Sequence, residues 1–308
     1  MRSFEMKRWC LAGSAMTLGL LLSGCGGGGV GSTPAPTYTK LADLTGNRSF
    51  KSAGIRLTVG SNQPFSFSSQ KYGAGVRIDY TASSDSYTLT APDGTTDTFS
   101  SSTNTPPPGL TTPPSDQTIL YNSAGSSFAI AAPSVNGVAL SYTAVGAWSR
   151  IQNNVLSAYV AVSGVPTVAS DMPRTGTATY QTSIAGSVFE SGSAQVLDTA
   201  ASSATFSANF GAGTVATTLH LVGRAPSPTF ASAGTPSSPD FGSYSGSGTI
   251  ASGSPGFSGT LASTASSAVV ANGEFSGAFF GPQAKEMGYG WYVNGGVLNG
   301  QGVVVGTK

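Results

Sequence analysis

The only imidazole of the chain, His220, is the first group to weigh for proton transfer, and it stands in the alternating run Thr217-Thr218-Leu219-His220-Leu221. Side chains alternate across a strand, so His220 points away from the face that carries Leu219 and Leu221. That predicts a polar surface residue, not a general base or a haem ligand. One His in 308 residues also excludes any site that needs two imidazoles. Ser68-Ser69-Gln70-Lys71 fits the loose Ser-x-x-Lys spacing of some acyl-enzyme hydrolases, but the accompanying elements of that site are missing. Asp85, Asp93 and Asp97 lack the closely alternating oxygen ligands of a calcium loop, and Asp93 reads as a turn residue. Gly26 to Gly29 are not a phosphate cradle, because no strand precedes them and no Lys follows. Glu286 has no carboxylate partner nearby in sequence and reads as an acceptor for free backbone amides of its own turn. No catalytic residue, metal-ligand set or cofactor follows from these patterns.

Cys25 carries the most specific chemistry. Arg2, Lys7 and Arg8 precede an apolar run over 9–22 that ends in Leu22-Ser23-Gly24-Cys25. The run is too short for a membrane span and is built like a secretory signal. Its ending resembles the bacterial lipoprotein box, which implies diacylglyceryl transfer to the Cys25 thiol, cleavage before it and acylation of the new amino terminus. Several acyl chains make such attachment effectively permanent. Residues 1–24 are therefore expected to be a signal peptide, and 25–37 a lipidated Cys with a Gly- and Pro-rich tether. Cleavage would remove three basic residues and Glu5, turning the net charge from +1 to −1, and would leave Cys25 as the sole Cys, with no disulfide possible. Gly26 in place of Asp after the acylated Cys fits sorting to the outer membrane.

The elements that hold these residues are strands. Charged residues make up 9% of the chain, against about 25% in a typical domain, and 14 basic side chains face 13 acidic ones. Nucleic-acid binding through counterion release is disfavoured by that balance. No helical spacing is sustained, whereas short alternating runs recur between Gly, Pro, Asn, Asp and Ser, so the chain is all-β. Strands are expected near 55–59, 65–67, 76–80, 87–90 and 95–99, the last two joined by a turn at Ala91-Pro92-Asp93-Gly94. A Pro-rich break follows over 106–114. The small, handle-like amino-terminal β domain is expected over 38–139 and a barrel domain over 140–308. About eight alternating runs follow Thr175, enough to close an eight-stranded antiparallel barrel. In 203–210 Ala204, Phe206, Ala208 and Phe210 share one face.

Residues 273–293 read Gly-Glu-Phe-Ser-Gly-Ala-Phe-Phe-Gly-Pro-Gln-Ala-Lys-Glu-Met-Gly-Tyr-Gly-Trp-Tyr-Val. This stretch resembles the last hairpin of the barrel domain in the transferrin-binding protein B family, with matching positions Gly277, Phe279, Gly281, Pro282, Ala284, Glu286 and Gly288. Phe280 departs from the family's Tyr, and Tyr289 stands within its Gly-Gly pair. Met172 to Tyr180 resembles the strand that opens the family's barrel, and Ala204 to Gly213 its Phe-rich strand. The resemblance implies a lipid-anchored protein of the outer-membrane surface. Such a protein captures a partner, in the best-known members an iron carrier, and passes it to an outer-membrane transporter. The motif residues are expected to be structural, with Gly288 and Gly290 letting the strand bend.

Large rigid aromatics dominate protein interfaces, which makes Tyr289, Trp291 and Tyr292, with Trp148, the candidate partner anchors. The first three cannot all face a lumen, so at least one is expected outside; the alternative is that these aromatics plug the barrel or form its rim. The reading is a non-enzymatic binding module for a protein or carrier-borne nutrient. The alternative is a structural or adhesive surface lipoprotein of the same fold.

Overall fold

The computed structural model describes residues 35–60, 65–104, 117–122, 125–190, 193–224, 239–264, 272–295 and 297–308. The signal segment, Cys25 and the Pro-rich run lie outside the described residues. The amino-terminal strands are β1 (Arg48–Phe50), β2 (Ser52–Gly60), β3 (Ser66–Gln70), β4 (Arg77–Thr81), β5 (Ser86–Thr90), β6 (Thr96–Ser100), β7 (Gln117–Tyr121), β8 (Ser127–Ala131), β9 (Ser134–Val135), β10 (Val138–Ala139), β11 (Thr143–Gln152) and β12 (Val155–Gly164). Then follow β13 (Thr177–Glu190), β14 (Ser193–Leu197), β15 (Ser203–Asn209), β16 (Thr214–Arg224), β17 (Asp240–Ile250), β18 (Gly256–Ser263), β19 (Asn272–Phe280), β20 (Glu286–Gly295) and β21 (Leu298–Thr307).

The expected β5–β6 hairpin is present. Gly94 takes φ +83° and its N–H closes the turn on Ala91 O at 2.9 Å, while Asp93 Oδ1 accepts from Thr95 N at 3.0 Å. This hairpin belongs to a four-stranded sheet, β1-β4-β5-β6, which lies over a six-stranded sheet, β3-β2-β12-β11-β8-β7. Ile78, Leu89 and Phe99 from the first sheet meet Phe128, Trp148 and Tyr159 from the second in a common core.

Strands β11 and β12, expected at the start of the barrel domain, belong to this six-stranded sheet and not to the barrel. The reason is two-sided burial. Tyr159 packs into the sandwich core while Val162 of the same strand packs against the barrel. A barrel stave has one face toward the lumen and one toward solvent, so a strand buried on both faces belongs between two layers.

The barrel closes through β13-β15-β16-β17-β18-β19-β20-β21 and back to β13, eight antiparallel staves. Short β14 continues the stave of β15, pairing with the far ends of β13 and β16. Alternation puts Phe206, Leu219, Phe257, Phe275, Phe279, Tyr289 and Trp291 inside. Ring centroids lie 4.9 Å apart for Phe257–Phe279 and 5.5 Å for Phe275–Tyr289, so aromatic packing fills the lumen. Two phenols find partners there: Tyr289 and Thr217 share a hydrogen bond of 2.6 Å, and Tyr180 donates to Ala284 O at 2.6 Å.

Tyr244 also points inward and donates to Phe241 O at 3.1 Å, and burial pushes its phenol up to about 12. The fold thus favours the neutral form. Its stabilisation is complete below the unfolded value of about 10 and is lost as pH rises through about 12. The melting temperature is expected to fall over that range together with the rise of phenolate absorbance. Tyr244→Phe, measured in parallel, should lower stability by about 1 kcal/mol at neutral pH and flatten the alkaline decline.

Candidate functional site

Strand β20 reads Glu286-Met287-Gly288-Tyr289-Gly290-Trp291-Tyr292-Val293-Asn294, large and small side chains in alternation. Met287, Tyr289, Trp291 and Val293 are fully buried in the lumen. The even positions face out, and each meets one strand of the amino-terminal sheet in turn. Glu286 accepts hydrogen bonds from Ser141 N at 2.7 Å, Tyr142 N at 2.9 Å and Thr143 Oγ1 at 2.9 Å, where β11 begins. A Cβ at Gly288 would stand 3.1 Å from Val162 Cγ1 of β12, and one at Gly290 would stand 3.0 Å from Gly54 Cα of β2. Tyr292 stacks on Phe67 of β3, centroids 5.3 Å apart and planes 5° from parallel. Strands β11, β12, β2 and β3 are thus laid over β20 one after another, at every second residue.

Glu286 is the polar clamp of this seam. It is 2% exposed, and no cation pairs with it among the described residues. Three donors replace its water, and a hydrogen bond to a charged group contributes about 1.5–3 kcal/mol. Glu286 does bind backbone amides, but they belong to Ser141 and Tyr142 of the other layer rather than to its own turn. The outward side of Gly288 is filled by the Val162 and Thr143 side chains, and that of Gly290 by the Gly54 backbone. Around the clamp, Ala53, Tyr142, Val162, Ala278 and Phe280 form an apolar core shared by both layers.

The remaining motif residues divide between lumen and corner. Phe279 is a lumen residue, and Gly277 leaves room for the Tyr289 and Phe257 side chains. Gly281 takes φ +70° beneath the Tyr142 ring, and Pro282 starts the short turn that ends at buried Ala284. Asp171 Oδ2 accepts from Gln283 N at 2.8 Å and from Tyr38 OH at 2.9 Å, which ties the chain's first described residues to this corner. Burial, more than Asp171, pushes the Tyr38 phenol up to about 12.

The aromatic candidates are corrected. Tyr289 and Trp291 are 0% exposed and plug the barrel, so neither meets a partner. Tyr292 is outside, yet its ring is engaged by Phe67. Trp148 is buried, stacked on Tyr159, with its Nε1 donating to Asp97 at 2.9 Å. The two-residue alternation of β20 was the signal that separated these rings, while Gly54, Phe67 and the Ser141–Tyr142 amides carried none.

His220 lies on the outer barrel wall as expected, with Nε2 3.1 Å from both Asp240 carboxylate oxygens. Gly242 N–H first, then His220, hold the Asp240 carboxyl below its usual range. Among the described residues no hydroxyl hydrogen-bonds the imidazole. Among them also, no three His, Cys, Asp or Glu side chains gather in a way that suits a metal ion. A shallow depression at Ser207, Asn209, Thr214 and Ser247 carries only small and neutral side chains.

Residues 172–308 match the family model described as C-lobe and N-lobe beta barrels of Tf-binding protein B, and this segment is a transferrin-binding protein B-like barrel domain. The match begins just before β13, where the closed barrel begins. Among solved structures, a mutant of Transferrin Binding Protein B from Haemophilus parasuis Hp5 is 18% identical, with a TM-score of 0.46 over 85% of this chain and 44% of that one. Isotype 1 Transferrin binding protein B from serogroup B Neisseria meningitidis is 16% identical, with a TM-score of 0.44 over 83% and 43%. The N-lobe domain of Lactoferrin Binding Protein B from Moraxella bovis is 13% identical, with a TM-score of 0.33 over 57% and 79%. The chain thus spans less than half the length of the first two. No curated protein matches it in sequence.

Glu286→Ala should cost about 3 kcal/mol, because the Ser141 and Tyr142 amides and the Thr143 hydroxyl lose their acceptor, and Glu286→Gln, which keeps one acceptor oxygen, about half as much. Gly290→Ala should cost about 1–3 kcal/mol through overpacking of the seam. Urea unfolding followed by circular dichroism measures each loss.

Proposed function

We propose that this protein is a non-enzymatic binding module, held at the outer membrane by acylated Cys25, that captures a protein partner at the cell surface. The partner is an iron carrier of the transferrin kind, which the module passes to an outer-membrane transporter. The observation that carries this reading is the barrel domain over residues 172–308, of the type found in Tf-binding protein B.

The geometry supports it in two ways. Aromatic rings fill the lumen, so recognition has to use the outside of the molecule. The first described residues are tied to the corner around Gln283, so a tether from Cys25 joins the fold at that end. Connections at the corner end of the barrel are short, as at 210–213 and 251–255, whereas the longer ones, 225–239 and 264–271, join strands at the opposite end. Capture is therefore assigned to the end away from the anchor.

Affinity capture tests the reading. Residues 26–308 serve as bait against outer-membrane extract and medium from iron-starved cells, with purified transferrin as a separate ligand. A saturable protein partner is the expected result. Absence of any partner under all of these conditions would return the protein to the structural or adhesive reading.

A further inference from the structure

The series of contacts along β20 stops one step short of the strand's end. Glu286, Gly288, Gly290 and Tyr292 are covered by β11, β12, β2 and β3, but the next outward residue, Asn294, is exposed. Its cross-strand neighbour on β19, Asn272, is exposed as well. Outward residues of a strand recur about every 6.6–6.8 Å, and neighbouring strands lie about 4.7–4.9 Å apart. The strip beside β3, which no described residue covers, is therefore wide enough for one more strand.

Among the described residues, the edge of β3 that borders this strip is unpaired. Strand β3 ends the order of its sheet, and no backbone group among the described residues pairs with its outer side. The opposite edge of the same sheet is capped: Asn104 Oδ1 accepts from Tyr121 N at 2.8 Å, and its Nδ2 donates to Ile119 O at 3.4 Å. An unprotected edge is a template for a further strand. Half-buried aromatic rings line this one. Phe65 lies 4.9 Å from Phe189 of β13 and 6.3 Å from Phe67, which stacks on Tyr292. Charge adds direction. Glu274, which accepts from the Ser69 hydroxyl, sits at one end of the row, and Glu190 follows Phe189 at the other. Neither forms an ion pair among the described residues.

We propose that the outer edge of β3 and the strip marked by Asn272 and Asn294 receive an extended, basic polypeptide segment as a seventh strand of the amino-terminal sheet. Main-chain hydrogen bonds to β3 supply affinity, as in other strand additions. Lys or Arg side chains of the segment face Glu274 and Glu190, and its barrel-facing residues reach the two asparagine amides. The inference deepens the binding reading and rests on it only in taking the partner to be a polypeptide.

The test uses the full chain in detergent and a phage-displayed octapeptide library, selected on the unaltered protein and deselected on Asn294→Arg. That variant fills the strip with a long cation at an exposed position, and unchanged circular dichroism and melting temperature verify its fold. Expected are enriched peptides with alternating side chains and Lys or Arg. A synthetic peptide from the selection should protect amides of 66–70 from hydrogen exchange. It should weaken about tenfold or more on Asn294→Arg and about threefold on Glu274→Gln, more at low salt. N-methylation of its alternate amides should abolish binding. No enrichment, or peptides that bind Asn294→Arg equally well, would overturn the proposal. So would a dimer of this chain that Asn294→Arg dissociates, because the edge would then belong to a second copy. Failure with peptides while protein capture succeeds removes this inference alone; the reverse result removes the capture reading and leaves the edge site standing.

Discussion

The described fold is arranged around strand β20, which is covered on both faces from Glu286 to Tyr292. A pleated strand presents alternate residues to opposite sides, and β20 has a buried layer on each of them. Its odd positions are large and apolar because the barrel lumen must be filled to interior density. Its even positions are a carboxylate, two glycines and a tyrosine because a second sheet lies across them. The carboxylate of Glu286 decides the register of that second sheet. A buried anion without a cation needs its donors at fixed positions, and only the amides and hydroxyl at 141–143 supply them here.

This constraint explains why the two halves of the chain form one layered body rather than beads on a linker. The six-stranded sheet is the middle layer, with the sandwich core on one side and the barrel on the other. Gly290 brings the barrel to backbone contact with Gly54 of the middle layer, where a Cβ at position 290 would stand 3.0 Å from the Gly54 Cα. The same packing spends the conspicuous aromatics of the carboxy-terminal hairpin on internal contacts.

Low charge shapes how such a surface can act. With few ion pairs available, long-range steering is weak, and recognition has to come from shape, apolar contact and backbone hydrogen bonds. The barrel has no edges to offer, since its staves close on themselves.

Much of the architecture was legible in local pattern. Alternation in runs such as Ala204 to Phe210 specified strands and their inward faces, the Pro-Asp-Gly turn specified the β5–β6 hairpin, and residues 273–293 specified the barrel's last corner. Each of these signals is local, because pleat and turn chemistry act over a few residues. What stayed hidden needed two distant segments at once. Whether Glu286 serves its own turn or a strand more than a hundred residues away, and whether β11 and β12 are staves or a middle layer, are questions of which backbone comes to lie beside which. The sequence by itself determined the strands, their periodicity and the identity of the inward rings. Only the tertiary structure decided what covers their outward faces, since the energy of burying a glycine or a carboxylate depends on a partner that no local pattern contains.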